Sequence, residues 1–332
     1  MADLLLIYYD NLQEGLWFRA LHQGLADAEL RPITGATTQN PSLTEVLAYD
    51  RPDVILTHGE RAILIVERTA EVPSGHNVGQ RFARMAAAAQ CHVPLVYFCP
   101  YAARKHGGAT EGPRYMNLRL FYSLDKMAEI EGSSVETINW PVDEHYEVVQ
   151  NATKDDRMRA YLGTFFRLYD AGGVDTVNRS MKDSGFHREQ THERQEFIRR
   201  EIRRREQYDA PAASVMIGNI QQLVPLRNVA EAGRLPHPEI VLYKVGMKYI
   251  RSDPYTGMGM LYEYLYAGGA SHTTRTRSFV FHFPNISVAM WRNAASRDRK
   301  DIRLFSKVAD GILFRDGFLR TDQLLPAARP PS

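Results

Sequence analysis

The chain has 332 residues, 44% hydrophobic and 24% charged, with 41 Lys and Arg against 39 Asp and Glu for a formal net charge of +2. Such a composition predicts a folded soluble chain rather than a disordered one; no stretch approaches the ~20 apolar residues that cross a bilayer, and near-neutral charge withholds the global basic signature of an obvious nucleic-acid binder. Two cysteines, Cys91 and Cys99, are too few for a disulfide framework or a four-ligand zinc site, which fits a reducing cytoplasmic setting.

In chain order, Leu4 to Tyr9 reads as a first core strand, and Met1 to Asp10 is too short and acid-flanked for a signal peptide. Ser42-Leu43-Thr44-Glu45 has the S-x-x-E form of a capping box and precedes Val46, Leu47 and Ala48, so a helix is expected to start here, with Glu45 either its cap or an acid reaching the next strand. The runs Asp53-Val54-Ile55-Leu56 and Ala62-Ile63-Leu64-Ile65-Val66-Glu67, joined by the turn-like His58-Gly59-Glu60-Arg61, predict a β-hairpin. Pro52-Asp53 opens its first strand and Glu67-Arg68-Thr69 closes its second, which places two carboxylates on neighbouring strand ends. A carboxylate ending an apolar strand has to be paired, hydrogen-bonded or metal-bound, and Mg²⁺ accepts one or two carboxylates with water and phosphate oxygens. Asp53 and Glu67 are therefore the candidate ligands for Mg²⁺. Alternation puts Arg68 on the opposite face of the strand.

After the loop Val72-Pro73-Ser74-Gly75-His76, Asn77 is placed to cap a helix over Val78 to Gln90, on which Gln80, Arg81 and Arg84 are the polar positions. His92 to Cys99 follows as a buried parallel strand and completes an α/β core. Arg104-Lys105-His106-Gly107-Gly108 reads as a mobile loop, and neither G-x-G-x-x-G nor G-x-x-x-x-G-K-[ST] occurs, which disfavours nucleotide-binding enzymes of those two types.

The order of helix with Glu, Pro-Asp on a strand, hairpin, Glu-x-(polar) on the next strand, then helix, over about Ser42 to Pro100, resembles the PD-(D/E)xK nuclease superfamily, which includes many type II restriction endonucleases. The resemblance implies an α/β fold with a mixed central sheet flanked by helices. It makes Asp53 and Glu67 the metal ligands, Glu45 an optional upstream acid, and Gln80 and Arg81 residues facing the site or the DNA backbone. Thr69 stands where the superfamily usually has lysine, and a threonine hydroxyl carries no positive charge; Arg104 and Lys105 are conceivable substitutes. A Mg²⁺-dependent endonuclease acting on double-stranded DNA, dimeric if both strands are cut symmetrically, is the function expected. Two alternatives stand beside it: a non-catalytic nucleic-acid or effector-binding protein on the same core, and an α/β enzyme whose Asp10, Asp53 and Glu67 line a crevice for a small ligand.

The organisation expected is a nuclease-like core over 1–150, a helical Arg-rich connecting region over 151–209, and a second α/β or α+β section over 210–328 that serves DNA recognition. In the middle region Asp156 to Leu168 has helical spacing, and after Ala171-Gly172-Gly173 a long helix carries Arg188 to Arg205, laced with i,i+4 pairs such as Glu196 with Arg200 and Glu201 with Arg205. Arg199 and Arg203 on it are candidate phosphate contacts. In the last section Ile240 to Val245, extending towards Ile250, and Ser278 to Phe283 read as strands, Asp253-Pro254-Tyr255-Thr256-Gly257 as a turn, Leu261 to Tyr266 as a short helix and Ser287 to Asp310 as helical. Arg275 and Arg277, between threonines, are candidate base contacts, since arginine pairs bidentately with guanine. His192-Glu193 lacks the second histidine of H-E-x-x-H, so a zinc hydrolase is not expected. His282 reads as a core histidine, and 327–332 as a disordered tail.

Overall fold

Short runs of Leu, Ile, Val and aromatic residues favour a pleated, two-sided buried environment, and those runs supply the strands. In the computed structural model, which describes residues 4–105, 112–269 and 274–325, they assemble into two units, Met1–Arg205 and Glu206–Ser332.

The first unit runs β1 (Leu5–Tyr9), α1 (Leu12–Arg19), β2 (Glu29–Pro32), α2 (Ala36–Gln39), β3 (Val54–His58), β4 (Arg61–Arg68), α3 (His76–Gln90), β5 (Leu95–Cys99), β6 (Ala102–Arg104), β7 (Pro113–Tyr115), α4 (Leu118–Glu131), β8 (Val135–Asn139), α5 (Asp156–Ser180) and α6 (Gly185–Glu201). Its main sheet has the order β2-β1-β3-β4-β5-β8. β3 is antiparallel to both β1 and β4, whereas β4, β5 and β8 are parallel. The expected α/β class and mixed sheet are thus present.

The hairpin forms as the apolar runs predict, with Val54 opposite Val66 and His58 opposite Arg61. Gly59 takes φ of 59°, a left-handed conformation that costs glycine little, so the chain reverses within the two residues Gly59 and Glu60. One face of the sheet, carrying Val54, Leu56, Leu64, Val66, Val96, Phe98 and Ile138, packs with Phe18 of α1 and with Met158, Tyr161, Leu162 and Phe165 of α5. Because α5 supplies that core, the segment 151–209 expected as a connecting region is largely part of the first unit. Gly172 and Gly173 adopt non-helical angles inside α5, the interruption their sequence predicts.

Three local expectations are corrected. Ser42-Leu43-Thr44-Glu45 makes no capping box: Asn40 caps a single 3₁₀ turn, accepting from the Ser42 amide, and Ser42 Oγ donates to Asn40 Oδ1 and to the Glu60 carbonyl. Asn77 does not cap α3; its side chain donates to Glu71 Oε2 and Gly75 precedes the helix. The Arg-rich helix stops at Glu201, so Glu201 meets the Tyr146 hydroxyl at 3.1 Å instead of pairing with Arg205. His106, Gly107 and Gly108 of the expected mobile loop, and the tail 327–332, lie outside the described residues.

The second unit runs β9 (Val215–Asn219), α7 (Ile220–Leu223), α8 (Leu226–Ala232), β10 (Glu239–Lys244), α9 (Tyr255–Tyr266), β11 (Ser278–Phe283), α10 (Val288–Ala295), α11 (Lys300–Val308), β12 (Gly311–Phe314), β13 (Phe318–Arg320) and α12 (Thr321–Leu324). Its sheet has the order β13-β12-β11-β10-β9, with β10, β11 and β12 parallel and an antiparallel strand at each edge. Ser278–Phe283 is the central strand its apolar run predicts. The strand expected to extend to Ile250 ends at Lys244, and of the turn expected at 253–257 only Asp253 and Pro254 form one, because Tyr255, Thr256 and Gly257 make the first turn of α9.

Candidate functional site

Alternation along β4 sends Glu67 and Arg68 to opposite faces of the sheet, and the two faces carry different chemistry. On the α3 face Glu67 is wholly buried. Its Oε1 accepts from Arg81 Nη1 at 2.6 Å and from Arg84 Nη1 at 3.2 Å, both on α3. Asp53, just before β3, points to the same two groups: Arg84 Nη1 lies 3.7 Å from its Oδ1 and Arg81 Nη1 4.0 Å from its Oδ2. Asp53 Oδ2 also accepts the Arg68 amide at 2.6 Å. The carboxylates expected to converge therefore do converge, on one shared pair of guanidinium groups.

The helical spacing of Arg81 and Arg84 explains the arrangement, since residues three apart lie on one helix face. Arg84 is fixed from behind by Asp50, with Nε 3.2 Å from Oδ2, and Arg81 donates additionally to the Arg68 carbonyl at 3.2 Å. Burial raises the Glu67 carboxyl to about 8, with the Asp53 charge adding to it and both arginines opposing. Burial raises Asp53 as well, against the Arg68 amide and the arginines. The carboxyl and guanidinium halves of the Arg81–Glu67 contact bear this unequally. Arg81 is held further into a charged form it has in any case, so the sealed carboxyl carries the protonation change. Glu67 Oε2 has no hydrogen-bond partner among the described residues, and neither has the Tyr97 hydroxyl, whose strand position is in register with Glu67.

On the opposite face the Arg68 guanidinium is sandwiched between Trp17 and Trp140, 4.4 Å and 4.9 Å from the ring centroids. Trp17 donates to Asp155 Oδ1 at 2.9 Å. Each such contact is worth about 1–2 kcal/mol when desolvated, and together they hold the backbone whose N–H grips Asp53 and whose carbonyl receives Arg81. Glu14, on α1 and half-buried, is raised to about 7 by burial and then by the charge of Asp53, with Asp10 adding a smaller push. Asp10 itself pairs with Arg51 at 3.4 Å.

The remaining predicted positions divide clearly. Thr69 is buried, but its Oγ1 accepts from the Glu71 amide at 3.0 Å. Glu45 does not join the carboxylates; it lines a cavity of about 420 Å³ with Glu60, Arg61, Gln90 and Cys91, at the opposite end of the hairpin. The missing capping box is the reason, because residues 44–50 form turns rather than a helix directed at the strand ends. Gln80 is exposed on α3. Arg104 ends β6, which pairs with β7 outside the main sheet, and Lys105 is exposed beside it. Arg199 pairs with Glu196 in α6, while Arg203 lies exposed beyond that helix.

Arg275 and Arg277, expected as base contacts, are both tied to carboxylates. Arg275 is tied to Asp310 at 3.0 Å and Glu263 at 3.3 Å. Arg277 donates to Glu239 and to the Tyr266 carbonyl, both at 3.0 Å. Their guanidinium groups brace the entry to β11. Sequence reasoning missed Arg84 as a partner of both acids and missed Glu14 altogether. For Arg84 the signal was its spacing of one turn from Arg81.

Among the described residues no group of three or more His, Cys, Asp or Glu side chains gathers as a metal cage. The donor set at 53 and 67 is of the hard-oxygen kind a divalent ion takes, two carboxylates of which one has a buried oxygen lacking a partner, and both lie within 4.0 Å of the Arg81 and Arg84 guanidinium groups. Among the described residues no helix is long and apolar enough to cross a membrane. Neither protein-family models, nor curated proteins, nor solved structures give a match to the chain.

Proposed function

We propose that the first unit is a Mg²⁺-dependent nucleic-acid phosphodiesterase of the restriction-endonuclease type, with double-stranded DNA as its substrate. The observation that carries this proposal is the convergence of Asp53, just before β3, and Glu67, near the end of β4, on Arg81 and Arg84, with Glu67 Oε2 buried and unpartnered. The antiparallel hairpin, following helix and parallel strand agree with the sequence resemblance to the PD-(D/E)xK superfamily.

Asp53 and Glu67 would hold the ion. When bound, such an ion lowers the pKa of a water and neutralises charge on the scissile phosphate. The chain's own contribution is positional and electrostatic. The Arg68 amide fixes one oxygen of Asp53, and the other faces Arg84 Nη1 at 3.7 Å. Arg81 and Arg84 supply, from α3, the positive charge that Thr69 lacks, and guanidinium forks suit phosphate oxygens bidentately. Glu67 must give up a proton to act as a ligand, so ion binding is favoured at higher pH. A two-fold dimer would present two such sites to the two strands of a duplex.

The test is incubation of the purified protein with plasmid DNA in Mg²⁺ or EDTA. Mg²⁺-dependent cutting is expected, and Asp53→Ala and Glu67→Ala should each abolish it while retaining DNA binding; cutting by both variants excludes this site. One observation favours a second reading, a non-catalytic nucleic-acid or effector-binding protein on the same core: the acids are already neutralised by arginines, and the Thr69 hydroxyl is engaged by Glu71. Under that reading the wild type is inert and Thr69→Lys gains cleavage.

A further inference from the structure

In the second unit the three parallel strands all end at one rim of the sheet, the place where open α/β sheets receive ligands. Lys244 ends β10, His282 lies beside it in register on β11, and Arg315 follows β12. Arg227 at the start of α8 donates to the Arg315 carbonyl at 2.9 Å, which brings that helix start to the same rim. Lys248 and Tyr249 follow β10, and Tyr249 is 82% exposed.

The charges at this rim are unmatched. Most arginines elsewhere in the unit are tied to carboxylates, as Arg275, Arg277, Arg299, Arg303 and Arg320 are. Lys244, Lys248, Arg227 and Arg315 are exposed and have no carboxylate partner among the described residues. Of the neighbouring acids, Asp301 is paired with Arg299 and accepts from Ser252, while Asp316, beside Arg315, accepts the Val288 amide at 2.8 Å and keeps its charge. His282 Nδ1 is buried without a partner. Met216, on the same sheet face in register with Leu242, is 41% exposed, and Leu226 is 90% exposed.

Four unmatched cations with one presented aromatic ring and bare apolar side chains are the elements of a nucleic-acid backbone track with a stacking platform. We propose that the rim formed by Lys244, Lys248, Tyr249, His282, Arg315 and Arg227 binds the phosphate backbone of nucleic acid, with Tyr249 stacking on an unpaired base. This site replaces Arg275 and Arg277 as the recognition surface of the second unit. It rests on the proposed nucleic-acid function only for its choice of ligand.

The experiment is fluorescence anisotropy of a labelled 20-nucleotide single strand and of the matching duplex with the full-length protein in EDTA, so that binding is read without cleavage. Lys244→Glu with Lys248→Glu should weaken binding by about tenfold or more and reduce the dependence on salt. Tyr249→Ala should weaken the single strand about fivefold or more, with little effect on the duplex. The double reversal Arg292→Glu on α10 with Arg297→Glu just beyond it, an equal charge change, should leave affinity unchanged. Equal weakening by that control, or no weakening in the rim variants, would overturn the proposal. Loss of cleavage in Asp53→Ala with rim binding intact separates this surface from the hydrolytic site, and rim binding by a protein that never cuts DNA upholds the surface while refuting the hydrolase.

Discussion

Replacing Glu67 with glutamine removes one buried titration while keeping the side chain's shape. The carboxyl rises from 4.5 to about 8 in the folded chain, so the folded state binds its proton more tightly than the unfolded state does. For an acid shifted upward, the associated stability is fully present below 4.5 and is lost as pH rises towards 8. Between pH 6 and pH 9 this single group should cost the wild type roughly 2–3 kcal/mol. For a unit the size of Met1–Arg205 that corresponds to roughly 5–10 °C in Tm. The amide of Glu67→Gln does not titrate, and Arg81 can still donate to its carbonyl oxygen. Melting curves followed by circular dichroism at pH 6 and pH 9 should therefore show the wild type falling further than the variant by about that amount. The comparison is between the two slopes, because Glu14, raised to about 7, adds its own slope to both proteins. Parallel slopes would refute the argument that burial and the neighbouring Asp53 outweigh the two arginines.

Glu45→Ala should change the proposed Mg²⁺-dependent DNA cleavage by less than about twofold, because this residue lines the cavity at the far end of the hairpin; a loss comparable to Asp53→Ala would put a third acid back at the site. His187→Ala should destabilise the first unit by roughly 2–3 kcal/mol in denaturant unfolding, since it strips the buried Glu136 carboxylate of a partner at 2.7 Å, with the half-exposed imidazole reducing the full cost of breaking a buried pair. The bond to Glu136 raises His187 above its ordinary value, so the stabilisation is full below about 6.5 and is lost as pH rises through the raised value. The penalty of His187→Ala should accordingly be larger at pH 6 than at pH 8.5, and a pH-independent penalty would assign His187 a packing role alone.

The amino-acid sequence alone determined four strands of the first unit, β1, β5 and the β3–β4 hairpin between Asp53 and Glu67, because unbroken apolar runs bounded by Pro, Gly and charged residues have few other solutions. Period-two alternation also placed Glu67 and Arg68 on opposite faces before any neighbour was known. That Arg81 faces the site is what the family resemblance implies and not a consequence of local spacing. What the tertiary structure decided was which distant groups meet. The antiparallel pairing of β1 with β3 and the position of α1 bring Glu14 within electrostatic reach of Asp53, and the packing of Trp17 and Trp140 encloses Arg68, although these residues lie far apart in the chain. Glu45 left the site because Asn40 and the Glu60 carbonyl captured Ser42, a contact between segments that no local motif records. Arg275 and Arg277 looked free in the sequence because their partners, Asp310, Glu263 and Glu239, arrive from other strands and helices. Local propensity fixes the direction in which a side chain leaves its own strand or helix; chain pairing across tens of residues fixes what that side chain finds there, and the charge balance at Asp53, Glu67, Arg81 and Arg84 is of the second kind.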